Sequence, residues 1–367
     1  MDPAPIFCPN LDCPARGQTG QGNIGRHSRK ERRFICKQCG KTFTTTTGTA
    51  FYRVRTPAET LSLVLTLMAH GCPLQAIVVA FGFDERTVAA WVARAGHQAQ
   101  AVQEHVVERP QDLGQVQADE IRVKQQGKIS WMALAMAVGT RLWLAGEVSE
   151  ERNLRLLRRL LGRVRRCAAR RPLLVCTDGF RAYPRAIREA FRDPQLTGKR
   201  GRPRWQGWKT RHLAQVVKHY RQRRVVSVEH RILVGPAAQV QKLIQRSQGK
   251  GVINTAYIER LNATFRERLA TLTRRGRALA RCTATLRAGM YLIGAVYNFC
   301  TYHTRLSSAA AGVRAPQTPA MAAALTDHRW TVHELRSFRV PPPRWTPPKQ
   351  RGRPSRALQR LVERWCA

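Results

Sequence analysis

Apolar positions follow two different periods along this chain. Over residues 56–94 they recur every three or four positions, as on a helix, whereas residues 115–149 hold short runs dense in Val, Ile, Leu, Ala and Trp. The helical stretch divides into three. Pro57 follows the capping residue Thr56, and Pro73 opens a second helix, Leu74–Phe81. Gly82-Phe83-Asp84 then makes a turn in which Asp84 caps a third helix. Leu74, Ile77, Val78, Phe81, Val88 and Trp91 are its expected core. Residues 98–114 read as a helical linker that stops at Pro110. VQADEIRV, ISWMALAMAVG and RLWLAGEVS predict three strands separated by turn or polar residues. A basic helix over 151–168, a strand LLVCT at 173–177 and a helix over 182–192 follow. After a basic, Gly/Pro/Trp-rich insertion at 195–212, AQVVKHY and RVVSVEHRILV predict two more strands. Helices are expected over 236–247 and 254–302, then a short helical piece within 318–337 and a Pro-rich basic tail.

Charge narrows the partners. Lys and Arg number 64 against 23 Asp and Glu, a net charge of +41 that favours polyanions and argues against an enzyme for small metabolites. With 43% hydrophobic residues the chain is not disordered, and 367 residues suffice for two or three domains. The start MDPAPIFCPN lacks the basic-then-apolar pattern of a secretory signal, so a cytoplasmic, nucleoid-associated protein with reduced thiols is expected. Residues 61–83 carry no Asp, Glu, Lys or Arg, but Gly71-Cys72-Pro73 splits them into halves too short to span a bilayer.

Four of the cysteines are spaced as metal ligands. Cys8 and Cys13 form one close pair, Cys36 and Cys39 in FICKQCGKTF another, the arrangement of a four-cysteine zinc ribbon holding one structural Zn²⁺. So small a segment lacks a core of its own, and the metal would supply its folding energy. His27 is a lesser candidate in place of one cysteine, and Arg26, Arg29, Lys30, Arg32 and Arg33 between the pairs favour DNA contact. The three helices that follow have the order of a helix-turn-helix, with Arg86, Thr87 and Arg94 on the helix that would enter the major groove. KRGRPRW and QRGRPSR each hold an Arg-Gly-Arg-Pro core suited to a narrow minor groove, with Arg200 and Arg202 in the first.

In so basic a chain, acids inside apolar runs stand out. Asp119 and Glu120 fall within a predicted strand, Asp178 ends LLVCT, and Glu259 lies in a predicted helix. Three such carboxylates can converge at one edge of a ribonuclease H-like sheet and bind two divalent cations, as an in-line phosphoryl displacement requires. Equally, they can be ordinary partners for the many arginines, and their spacing does not decide.

The motifs RRFICKQCGKTF, QADEI, CTDGFRAYP, NTAYIERLNATFRERLATLTRR and TPAMAAALTDHRWTVHEL together make most of residues 8–335 resemble a bacterial insertion-sequence transposase of the DDE type. That resemblance implies a multidomain α+β protein: a zinc ribbon over 1–50, a helix-turn-helix domain over 56–97, a ribonuclease H-like α/β catalytic domain with a mixed sheet over 115–305, and a C-terminal segment over 306–367. It implies Asp119, Asp178 and Glu259 as ligands of two Mg²⁺ or Mn²⁺ ions, and Arg266, two helical turns after Glu259, as a DNA phosphate contact. Asp119 is preferred to Glu120 because alternation along a strand turns only one of them to the site. Glu267 is a competitor for the helix position. The implied partners are double-stranded element ends and target DNA, with a homodimer or higher assembly in the synaptic complex. A catalytically inactive, transposase-derived DNA-binding regulator would share every feature but the chemistry.

Overall fold

The computed structural model describes residues 6–195, 198, 201–222, 224–272, 279–310, 313–349 and 352–366. It divides into two compact units, residues 1–58 with 336–367, and residues 59–335. The first holds a small antiparallel sheet of β1 (Ile24–Ser28), β2 (Arg33–Cys36) and β3 (Thr42–Thr44) in that order. Phe34 and Phe43 face each other across β2 and β3 with rings stacked at 6.1 Å, giving the sheet its apolar side.

The second unit begins with α1 (Ala58–Ala69), α2 (Leu74–Phe81) and α3 (Glu85–Val106). Gly82 closes α2 at φ 68, a left-handed conformation that glycine adopts without steric cost. The Asp84 carboxylate accepts from the Arg86 and Thr87 amides and starts α3. Ile77, Val88 and Trp91 are buried between these helices, and Leu74, Val78 and Phe81 are half-buried. The expected linker is instead the second half of α3, because Ala95, Ala99, Val102 and Val106 continue its apolar stripe.

A six-stranded mixed sheet follows. It contains β4 (Gln115–Gln125), β5 (Lys128–Ala137) and β6 (Trp143–Ser149), then α4 (Leu154–Cys167), β7 (Leu173–Asp178) and α5 (Tyr183–Ala190). A two-strand excursion, β8 (Arg192–Gln195) and β9 (Arg204–Gly207), precedes β10 (Arg211–Arg221) and β11 (Arg224–Val234). The sheet order is β11-β10-β7-β4-β5-β6, with β7 parallel to β4 and β10 and the other pairs antiparallel. That order, with helices on both faces, fits a ribonuclease H-like core. Leu156, Leu157, Leu160, Leu161 and Val164 bury one face of α4, which packs on β5, β6 and α5. The other side of β7 and β4 is covered by α6 (Ala237–Gln248) and α7 (Ala256–Arg268).

The helical stretch expected over 254–302 is divided. α7 ends at Arg268, a 3₁₀ turn covers Ala270–Leu272, and α8 (Thr283–Ala295) runs into a π turn at Val296–Cys300. Between the two helices, the Ala280 carbonyl accepts from the Gln126 amide beside the end of β4. β12 (Ser307–Ala310), β13 (Val313–Pro316), α9 (Pro319–Ala322) and α10 (Val332–Ser337) follow. The Pro-rich basic tail carries α11 (Arg356–Trp365), capped by Ser355 on the Leu358 amide. α11 belongs to the first unit, where Trp365 is buried among Cys8, Cys13, Ile24, Phe34, Cys36 and Phe43.

Candidate active site

The acids meet where β4 and β7 run side by side. Ala118 pairs with Thr177 in parallel register, so Asp119 and Asp178 stand at adjacent positions on neighbouring strands. Asp119, Glu120 and Asp178 each offer a carboxylate oxygen, and these three lie within 4.8 Å of one another. Alternation still acts. Asp119 faces α7, accepting from Asn262 Nδ2 at 2.8 Å, whereas Glu120 faces the other layer, toward Arg152 and the buried hydroxyl of Tyr183. Asp178 sits at the strand end and is reached from both sides, so the sequence argument that only one neighbour can take part was too strict.

Each carboxylate has a partner. Arg152 donates through Nε to Glu120 at 2.8 Å and through Nη2 to Asp178 at 3.0 Å, with its guanidinium 4.1 Å from the Phe180 ring centre. Burial pushes the Glu120 carboxyl up to about 7, and burial together with the charges of Asp178 and Glu259 raises Asp119. Glu259, on the first turn of α7, acts on Asp119 through its charge but is not part of the 4.8 Å group. Its Oε1 accepts from Lys218 Nζ and Thr255 Oγ1, both at 2.9 Å. Hard oxygen donors crowded on the two central strands fit a divalent cation, which would relieve their mutual repulsion.

One positioning residue escaped the sequence reading. Gln117 on β4 is fully buried, and its Oε1 accepts from the Tyr257 and Ile258 amides, both at 3.0 Å. Thr255 makes no side-chain cap for α7, so a strand residue two positions before Asp119 caps the helix that carries Glu259. Its only sequence signal was a polar residue inside an apolar strand.

The four cysteines form a second cluster, wholly within the first unit. Cys8 and Cys39 sulfurs lie 3.8 Å apart, as do those of Cys13 and Cys36, and three of the four residues are buried. A tetrahedron with metal–sulfur bonds of about 2.3 Å has edges of roughly 3.8 Å, so the set fits one four-coordinate ion. Burial raises the Cys8 thiol and pushes Cys13 up to about 12, so binding must displace protons. His27 is exposed and outside the cluster.

Of the expected DNA contacts, Arg86, Thr87, Arg94 and Arg202 are exposed, and Arg266 is half-buried in the last turn of α7. Arg200 lies outside the described residues. Among the described residues no helix is long and apolar enough to cross a membrane. No curated protein matches the chain. Residues 114–229 match the family model of a DDE domain, a stretch that contains Asp119 and Asp178 but ends before Glu259. The match to that family model over the central sheet, with two of the acids inside it, supports an insertion-sequence DDE transposase.

Proposed function

We propose that the protein binds double-stranded element ends and catalyses metal-dependent phosphodiester cleavage followed by strand transfer. Asp119, Asp178 and Glu259 are the ligands in this reading. The observation that carries it is the adjacency of Asp119 and Asp178 within the DDE domain, with the charge of Glu259 reaching Asp119. When bound, two Mg²⁺ or Mn²⁺ ions polarise the scissile phosphate and lower the pKa of the attacking water or 3′-hydroxyl. The chain's own residues orient and neutralise. Asn262 fixes Asp119, Gln117 fixes the start of α7, and Arg152 and Lys218 offset the carboxylate charges.

DNA is gripped elsewhere in this proposal. The cysteine cluster is a zinc ribbon, the helices from α1 to α3 are a helix-turn-helix that presents Arg86, Thr87 and Arg94, and Arg266 meets backbone phosphate. Synapsis of two ends requires a dimer or higher assembly. A silent DNA-binding regulator is the competing reading, favoured by one observation: Arg152 and Lys218 already hold Asp178 and Glu259 in ion pairs. Asp178→Asn separates the two. It should bind terminal-repeat duplex within about threefold of the parent and lose cleavage and joining by at least about a thousandfold, the scale of lost electrostatic stabilisation at a reacting centre. Undiminished nicking by that variant refutes the catalytic assignment, and a parent protein that never nicks with Mg²⁺ or Mn²⁺ favours the regulator.

A further inference from the structure

α7 has a second functional face. At about 100° per residue, Glu259, Asn262 and Arg266 project to one side, while Ala256, Tyr257, Arg260, Leu261, Thr264 and Arg268 occupy an arc of roughly 140° on the other. That opposite face lines a cavity of about 650 Å³. Arg141, Arg260, Arg268 and Arg305 all border it, with Tyr257 and His303 between them.

The charge there is unbalanced. Among the described residues, no ion pair joins any of these four guanidiniums to a carboxylate, although the charge of Glu267 reaches its neighbour Arg268. Arg260 and Arg305 are exposed, and Arg141 and Arg268 are half-buried, so positive charge lines the cavity at two depths. The half-buried pair is held in place by neutral groups. Arg141 donates to the Val138 carbonyl and lies 4.0 Å from the Tyr257 ring centre, and Arg268 Nη1 reaches Thr301 Oγ1 at 3.4 Å. Arg141 also adopts φ 58, a left-handed conformation that a non-glycine residue holds only when its surroundings impose it. The Tyr297 hydroxyl helps impose it, donating to the Arg141 carbonyl at 3.0 Å. Burial lowers the pKa of both Arg141 and Arg268, as expected of cations that lack an anion.

Four arginines around one cavity repel one another, whereas a phosphoryl group satisfies them through paired N–H donors. We propose that this cavity is a second DNA site, which takes a backbone phosphodiester distinct from the scissile one. The full width of a helix, about 10–12 Å with side chains, separates it from the carboxylates, so one phosphate cannot serve both. The identification of the anion as DNA rests on the function proposed above; the existence of an anion site rests on the cavity alone.

The test is arginine protection mapping of the full-length wild-type protein without added divalent cation. Phenylglyoxal modification is read by peptide mass spectrometry for the free protein, with terminal-repeat duplex, and with inorganic phosphate. Arg260 and Arg305 should react in the free protein and be protected at least fivefold by duplex. Protection by duplex supports the proposal whether or not phosphate also protects. Protection by phosphate without protection by duplex assigns the cavity to a free anion and overturns the DNA site, and protection by neither removes the site altogether. A second measurement guards against indirect effects. The Arg260→Gln/Arg305→Gln variant should lower the salt dependence of duplex binding, d log K/d log[salt], by about 1 to 2, the share of one or two phosphate contacts. A matched Arg158→Gln/Arg185→Gln variant, which removes two arginines paired to Glu189, should change it less. Equal changes in the two variants overturn the proposal. Neither readout requires phosphodiester cleavage, so a failure of the catalytic assignment leaves this result standing.

Discussion

Lys218 Nζ lies 2.9 Å from Glu259 Oε1, so the helix carboxylate of the candidate site is bound to a cation from β10. Arg152 does the same for Asp178 from the opposite side. Divalent cations must therefore compete with built-in counter-ions. Replacing Lys218 with Met should tighten Mn²⁺ binding by up to about fivefold, the return expected from a half-exposed pair worth about 0.2–1 kcal/mol. Titration of free Mn²⁺ by electron paramagnetic resonance measures this directly, and weaker binding would show that Lys218 helps build the site.

Gln117 connects β4 to the start of α7: its Oε1 accepts from the Tyr257 and Ile258 amides and its Nε2 donates to Asn254, so it sets where Glu259 stands relative to Asp119. Gln117→Leu should lower the cleavage rate at saturating DNA by at least about tenfold, since small misplacements at a reacting centre are costly. Duplex affinity should hold. Gln117→Glu keeps the accepting oxygen and should recover part of the rate. If both variants behaved alike, the donation from Nε2 to Asn254, which Glu cannot make, would be what positions α7.

Trp365 is 2% exposed and packs into the cysteine cluster, and its carbonyl accepts from Gln18 Nε2 at 2.9 Å. Arg339 stacks 4.5 Å from the Phe7 ring centre in the same unit. Trp365→Ala should cost about 3–5 kcal/mol in that unit, as large aromatic truncations do, and speed zinc release to a colorimetric chelator by at least about tenfold. An unchanged release rate would mean that the cysteines fold and hold metal without α11.

Acid should weaken the contact between α4 and α5. Hydrogen bonds from Arg158 hold the Glu189 carboxyl at about 2, below its ordinary 4.5. The folded protein therefore binds this proton less readily than the unfolded chain. The stabilisation is present above about pH 4.5 and fades as pH falls toward 2. Between about pH 5 and pH 3 the urea midpoint should fall further for the parent than for Glu189→Gln. Equal falls would show that the pair contributes nothing to folding.

Much of this molecule was legible from local rules. The period-2 and period-3.6 patterns marked β4 to β7, β10, β11 and the three early helices, and Gly82 and Asp84 marked the turn between α2 and α3, because these depend on neighbours in sequence. The close cysteine pairs were visible for the same reason. What tertiary structure decided were relations between distant segments. Alternation along one strand separates Asp119 from Glu120, yet the parallel register of β4 and β7 brings both to Asp178. Residues 254–302 are divided between α7 and α8, and a backbone hydrogen bond from Gln126 to Ala280 ties the stretch between them to the end of β4. The Leu358, Leu361, Val362 and Trp365 spacing of α11 was readable, but its burial against cysteines more than 300 positions away was not. Periodicity states which face of an element is apolar; only packing states what covers it, and that is where the carboxylates, the arginine cavity and the cysteine cluster acquire their partners.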